Sequence, residues 1–458
     1  MKLQSYNPNT PVLAQYTSAT VVGLGVTGYS VVRYLLARGL SVQVVDSRLE
    51  PPMVKQLREK HPQVKLYLGD FSEIKDQALL VVSPGVSLFT PELRKARREG
   101  AHLIGDIELF VLENTKPIIA ITGSNGKSTV TTLVGDMCEA GGITALVAGN
   151  IGLPVLDSLT DQVDYEVAVL ELSSFQLETT SHMHAQASAI LNVSADHMDR
   201  YASMGDYLLA KARVLRGAER AILPRHDEQI AQLSTASQML TFELDKPSND
   251  DEFGIGRKSN LRWLFKGDRA LIKLSDVPLI GMHNVKNVLA ALALVDFLKI
   301  PLADLVRAIT SFKGLPHRMQ TVCVTAGVAW VNDSKATNIG ATSTALKNLE
   351  QDIYWIAGGQ GKGADFSELR AAIHNKIKLL VVLGEDAPVI QAALDGLLSI
   401  EKVDTMQEAV DLAGSRAKTG SVVLLSPACA SFDMYDNFEQ RGNDFIDCVT
   451  TWSDRGAA

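Results

Sequence analysis

Apolar and polar positions along the chain alternate between two patterns. Short runs rich in Val, Ile, Leu and Ala are followed by longer stretches of helical period. That alternation predicts βαβ units and parallel sheets. The run at 19–25 (ATVVGLG) predicts a buried strand, followed by a helix over about 27–37. Further strands are predicted at 41–46 and 79–83. Across 105–117 this series gives way to a second, which opens with the strand 118–122 and continues at 144–148, 165–172 and 187–193. The segment 261–274 (LRWLFKGDRALIKL) has a polar, Gly-containing centre and predicts a hairpin. A helix over 285–298 precedes a Pro-flanked stretch, 301–316. The third series has strands at 328–332, 353–357, 379–383 and 422–425. The expected class is α/β in three domains, 1–105, 106–314 and 315–458.

Composition narrows the function. The 458 residues are 46% hydrophobic and 21% charged, which excludes a disordered or collagen-like chain. Lys plus Arg total 44 against 52 acidic residues, a net charge of −8. Such a chain coats nucleic acid or anionic membrane poorly, so small-molecule substrates are expected, with no nucleic acid and no membrane insertion. The opening MKLQSYNPNTPVLAQYTSAT lacks an apolar signal core, and no apolar run approaches the ~18 residues of a membrane span. Cys138, Cys323, Cys429 and Cys448 are scattered without a CxxC pair. They fit reduced thiols in a cytoplasm better than a disulfide frame or a zinc site.

Two glycine-rich loops carry the candidate chemistry. Gly23-Leu24-Gly25-Val26-Thr27-Gly28 follows a strand and opens a helix. Its glycines permit a tight turn and the close approach of a pyrophosphate to free helix N–H groups. Asp46 ends the next strand, where an acid can take a hydroxyl or base edge. The pattern does not say which nucleotide-like ligand binds, and a purely structural turn would look the same. The second loop, Thr122 to Thr129 (TGSNGKST), also joins a strand to a helix. Its backbone can wrap phosphates, Lys127 can reach β/γ oxygens and a hydroxyl can hold Mg²⁺. Ile121 stands where the usual P-loop has its first glycine, so this loop is tighter. A dehydrogenase has no use for the second loop, and a simple kinase leaves the first unexplained. An enzyme that spends ATP on a nucleotide-linked substrate needs both.

With these loops, twelve segments taken in order resemble the Mur ligases of peptidoglycan synthesis. They are GLGVTG (23–28), VVDSR (44–48), SPG (83–85), TGSNGKST (122–129), GNIG (149–152), ELSSFQLE (171–178), NVSADHMDRY (192–201), GMHNVKN (281–287), LPHR (315–318), NDSKATN (332–338), GGQGKGADF (358–366) and SPACASFDMYDNFEQRG (426–442). The first loop and SPACASFD point to the branch that adds D-glutamate. The resemblance implies a Rossmann-like N-terminal domain for the UDP-sugar, a P-loop-type central ATPase domain and a Rossmann-like C-terminal domain for the amino acid. It also implies a cytoplasmic, monomeric enzyme. Its reaction would be ATP-driven amide formation: the carboxylate of UDP-N-acetylmuramoyl-L-alanine becomes an acyl phosphate, which the D-glutamate amine attacks. Phosphoryl transfer of this kind rests on positioning and charge neutralisation.

The same resemblance assigns residues. ATP would be held by Gly123, Ser124, Asn125, Gly126, Lys127, Ser128 and Thr129, with Asn284 and Asn287 reading adenine and Arg318 and Asp333 on phosphate and ribose. Asparagine near a helix start is equally a cap. Two Mg²⁺ ions would be held by Ser128, Glu171, His197 and Lys211, the last as a CO₂-derived carbamate. Lys335 would face the reacting groups. Val26, Thr27, Asp46, Ser47, Arg48, Ser83, Gly85 and Asn150 would contact the UDP substrate. Thr337, Lys362, Ser431 and Phe438 would grip D-glutamate, whose two carboxylates need a cation and several donors. Phe432 stands where several relatives carry leucine. His182 and His184 match no family site and read as structural.

Overall fold

The computed structural model describes residues 12–74, 78–194, 196, 198, 200–234, 236–279, 281–373 and 375–456. Three sheets follow one another along the chain. The first is fully parallel, in the spatial order Lys65–Leu68, Ser41–Asp46, Ser18–Val22, Leu79–Val82, His102–Ile104. The strand order reverses beside Ser18–Val22, which pairs with Ser41–Asp46 on one side and Leu79–Val82 on the other. Ligands of open α/β sheets bind at such a reversal, outside the carboxyl ends of the strands. Helix Val26–Ala37 starts there, as the pattern predicts.

The second sheet has nine strands. At its core are Ala187–Ile190, Ile118–Thr122, Val167–Glu171 and Ala145–Gly149, in that order and parallel. The first three are wholly buried, and their sequences are near-continuous apolar runs rather than alternations, whereas Ala145–Gly149 at the sheet edge alternates buried and half-buried positions. The predicted hairpin forms as Leu261–Lys266 and Arg269–Lys273, antiparallel. The strands Arg220–Pro224, Gln238–Phe242 and Glu252–Lys258, outside the runs that predict strands, link it to the core. The Pro-flanked stretch contains helix Leu302–Ser311, whose start is set by Pro301 immediately before it.

The third sheet runs Gln320–Thr325, Val328–Asn332, Val422–Leu425, Ile353–Gly358, Ile377–Leu383, Ile400–Lys402. Only its first pair is antiparallel. The apolar faces of its strands pack under helices such as Met406–Arg416 and Phe438–Gly456.

The chain forms two compact units. One comprises residues up to 193 with 197–277 and 287–310; the other comprises 194–196, 278–286 and 311–458. The first two sheets therefore share a unit. Arg33 reaches across to Asp157 and Asp161, and Arg38 pairs with Glu113. All four cysteines are free, and no described helix is long and apolar enough to cross a membrane.

Candidate active site

In the first unit, the turn after Ser18–Val22 depends on glycine. Gly23 has φ +94°, and a Cβ on Gly28 would lie 1.9 Å from the Gly23 carbonyl oxygen, so no larger residue fits at 28. Ser83 Oγ donates to that same carbonyl at 2.9 Å, which joins the 83–86 loop to the glycine loop. Asp46 is buried and fully engaged. It accepts from the Leu24 N–H at 2.7 Å, the Arg48 N–H at 2.9 Å and the Arg48 guanidinium at 2.9 and 2.7 Å. Burial alone would raise its pKa, but the hydrogen bonds from Arg48 and Leu24 outweigh burial and hold it below the ordinary value. Asp46 thus organises the loop and orients Arg48. Val26, Ser47, Arg48 and Gly85 are exposed around this mouth, with Thr27 and Ser83 half-buried.

The phosphate loop leaves Ile118–Thr122 and enters helix Lys127–Ala140 through Gly126, whose φ is +85°. The N-cap residue is Gly126, which has no side chain to cap the helix, and the helix start opens onto the loop, where an anion is favoured. Asn192 braces the loop: its carbonyl accepts from Ser124 N–H, and its amide exchanges hydrogen bonds with the Asn125 backbone. Lys127 Nζ donates to the carbonyls of Gly123 and Ser124 at 2.8 and 3.0 Å. Lys211, buried, donates to the same Gly123 carbonyl at 2.8 Å and lies over the Tyr207 ring. Ser128 and Thr129 are buried at the helix start.

Glu171 ends Val167–Glu171, paired with Ile121 just before the loop. Its Oε1 accepts from the Asn150 amide at 2.8 Å. Its buried Oε2 has no hydrogen-bond partner among the described residues. A buried, half-satisfied carboxylate at the end of the strand paired with the one that leads into the phosphate loop fits a hard divalent cation, which takes oxygen ligands. His197 lies outside the described residues. Asn284 and Asn287 are buried at the start of helix Met282–Leu294. A Cβ on Gly126 would come within 2.5 Å of Asn287 Oδ1, so Asn287 stands against the phosphate loop.

In the second unit, three neighbouring parallel strands end in loops that carry the remaining candidates. Val328–Asn332 leads into Asp333, Lys335 and Thr337; Ile353–Gly358 leads into Lys362; Val422–Leu425 leads into Ser431. Backbone bonds join the loops, from Ala428 N–H to Ala336 and in both directions between Gln360 and Ala430. Lys362 and Ala428 hold positive φ, a strained choice for non-glycine residues that such bonds maintain. Lys335 Nζ sits 3.8 Å from the Phe438 ring centroid, and exposed Lys362 lies over Phe432. Ser431 is buried.

Asp333 is buried, accepting from Ser426 Oγ at 3.0 Å and Met319 N–H at 3.2 Å. Burial pushes its pKa up to about 7, against the opposing effects of those hydrogen bonds and of half-buried Arg318.

Some of the residues that hold these sites were not singled out by sequence reasoning. Arg441 is buried and donates to Ser334 Oγ and to the carbonyls of Ser334, Gly358, Cys429 and Ala430, so one guanidinium fixes all three loops. It stands inside a quoted segment, but nothing local reveals whose carbonyls it meets. His182 pairs with buried Glu108, which agrees with a structural reading.

Comparison with known proteins places most of the chain in one family. Three family models match in order: "Mur ligase MurD-like, N-terminal domain" at residues 17–105, "Mur ligase middle domain" at 121–295 and "Mur ligase, glutamate ligase domain" at 317–429. A UDP-N-acetylmuramoylalanine–D-glutamate ligase of Methylobacillus flagellatus is 46% identical over 437 residues, covering 94% of this chain and 96% of that protein. Its counterpart in Pseudomonas aeruginosa is 45% identical, covering 94% and 97%. Among solved structures, the UDP-N-acetylmuramate–alanine ligase of Thermotoga maritima superposes with a TM-score of 0.60 at 20% identity, covering 95% of this chain and 99% of that one. MurF ligase from the same organism, in complex with ADP, gives 0.61 at 13% identity, covering 97% of each chain. At those identities the structural likeness concerns the fold.

Proposed function

The chain belongs to the Mur ligase family, and from that premise we propose that it is an ATP-dependent ligase adding D-glutamate to UDP-N-acetylmuramoyl-L-alanine. The observation that carries this reading is the pairing of a Lys-bearing phosphate loop with Glu171, whose buried free oxygen lies at the end of the adjacent strand. The three ranges 1–105, 106–314 and 315–458 are read as the UDP-substrate, ATP and amino-acid domains.

In this reading Gly123 to Thr129 cradle the ATP phosphates with backbone N–H groups, and Lys127 neutralises charge on the transferred phosphoryl group. Asn284, Asn287, Arg318 and Asp333 hold the rest of the nucleotide. Ser128, Glu171 and His197 would hold Mg²⁺, which when bound screens the phosphate oxygens. Val26, Thr27, Ser47, Arg48, Ser83, Gly85 and Asn150 orient the UDP-linked substrate so that its carboxylate meets the γ-phosphate. Asp46 contributes through the loop it organises. Thr337, Lys362, Ser431 and Phe438 hold D-glutamate, with Lys335 at the reacting groups. The carboxylate takes the γ-phosphoryl group as ADP leaves; the amine then attacks the acyl carbon, the amide C–N bond forms as the carbon–oxygen bond to phosphate breaks, and phosphate and a proton are released.

The two ammonium groups on the Gly123 carbonyl support a carbamate on Lys211. Both lysines reach that carbonyl at 2.8 Å, so Lys211, although buried, lies at the phosphate loop, where a bound Mg²⁺ would favour a carboxylate-like carbamate over an ammonium. The nucleotide substrates support a cytoplasmic enzyme, which we take to act as a monomer. Phosphate release from ATP with UDP-N-acetylmuramoyl-L-alanine tests the whole reading. Release should require D-glutamate and should not occur with L-glutamate; turnover indifferent to the amino acid would overturn it.

A further inference from the structure

We propose that Arg200 is a positioning residue for the UDP-linked substrate, holding the 83–86 loop in place from the phosphate-loop side of the first unit. This rests on the functional reading above, in which Ser83 and Gly85 touch that substrate. Arg200 Nη1 donates to the Pro84 carbonyl at 2.9 Å and Nη2 to the Val86 carbonyl at 3.4 Å. The guanidinium thus brackets Gly85 by its two neighbours. A planar fork can make both contacts where a lysine ammonium, a point donor, cannot hold the same geometry.

Arg200 is itself held by two further contacts. Nη2 also donates to Glu178 Oε2 at 2.7 Å, and the guanidinium carbon lies 3.9 Å from the Phe175 ring centroid. Its side chain is 10% exposed, which removes it from the class of solvated surface ion pairs. From Phe175 a run of rings leads to the ATP loop. Phe175 stacks on Tyr201, Tyr201 meets Tyr207, and the Tyr207 hydroxyl lies 3.2 Å from Ser124 Oγ. The other end of the 83–86 loop is tied to the Gly23 carbonyl through Ser83. A loop held between the glycine turn and a guanidinium anchored near the ATP loop presents the UDP-linked substrate at one defined distance from the phosphates. Misplacement by about 1 Å can cost a factor of ~10² in such a reaction.

The test uses the full-length protein and UDP-N-acetylmuramoyl-L-alanine binding by calorimetry, without ATP or D-glutamate, beside steady-state kinetics. Arg200→Met should weaken that binding, raise the corresponding KM and lower kcat, with kcat/KM for the UDP-linked substrate down by about tenfold or more. The KM values for ATP and D-glutamate should stay within about twofold. Arg200→Lys should recover only part of the loss, and Glu178→Gln, which keeps the arginine, should shift the same constant in the same direction. Methylguanidine added to Arg200→Ala should restore affinity. A merely structural role would instead move all three KM values together with the melting temperature. If Arg200→Met fails to fold, Arg200→Lys and Glu178→Gln decide the matter. Folded variants that bind the UDP-sugar as the wild type does would overturn this proposal alone. A wild type that does not bind it at all would overturn the functional reading as well.

Discussion

At the residue scale, charge near the Gly123 carbonyl governs the expected behaviour. Lys127→Ala removes a positioned cation and should lower turnover by about 10²–10³-fold, the usual cost of ~3–4 kcal/mol for such a donor. Circular dichroism should show the fold unchanged, and near-normal turnover by a folded variant would refute the role. Lys211 sits 2.8 Å from the same carbonyl. Enzyme incubated with ¹³C-bicarbonate and Mg²⁺ should show a carbamate carbon resonance that Lys211→Ala lacks, and CO₂ depletion should weaken activity reversibly. Absence of that resonance in active enzyme would remove the modification. Asp333 supplies a pH prediction. Its folded pKa, near 7, lies above the ordinary 3.8, so between those values the folded state binds more protons than the unfolded one. Its contribution to stability is fully present below about pH 4 and is lost as pH rises through about 7. Denaturant melts of wild type minus Asp333→Asn should therefore fall in stability over that window and level off above it. A flat difference would show that Asp333 is charged throughout.

At the scale of elements, glycine positions bind loop to helix. A Cβ at residue 28 would meet a backbone oxygen at 1.9 Å, and a backbone atom cannot rotate away as a flexible side chain does. Gly28→Ala should cost about 3 kcal/mol, at the upper end for overpacking, and should abolish UDP-sugar binding. A chemical melt with unchanged midpoint would contradict the close packing of helix Val26–Ala37 on its turn. Helix Lys127–Ala140 shows the complementary design: its start at Gly126, which brings no capping side chain of its own, is an electrostatic resource for phosphate.

For the whole molecule, division into two compact units predicts unfolding that is not two-state. Calorimetry should resolve two transitions, and Gly28→Ala should lower only the one belonging to the first unit. UDP-N-acetylmuramoyl-L-alanine at about 100 times its Kd should stabilise that unit by ~2.7 kcal/mol, while D-glutamate should raise only the other transition. A single transition shifted equally by both ligands would count against independent units.

The sequence by itself determined what local chemistry decides. The core parallel strands, both glycine loops and the order of twelve segments were legible because a βα turn needs glycine and a polar N-terminus within a few contiguous residues. The strands 118–122, 328–332 and 422–425 were placed to the residue, since buried parallel strands read as unbroken apolar runs. Short strands such as Lys65–Leu68 and Ile400–Lys402 escaped, because they lie at sheet edges, carry polar residues among the apolar ones and so form no apolar run. Only the tertiary structure decided that Asp46 is saturated by Leu24 and Arg48, that Lys127 and Lys211 share one carbonyl, and that Arg200 and Arg441 each clamp distant loops. Each of these depends on which way a side chain points once elements have packed, and in several cases on partners about a hundred residues away. Composition and spacing hold no record of that direction; the burial of the surrounding chain imposes it, because a buried donor or acceptor must find a partner wherever the fold brings one.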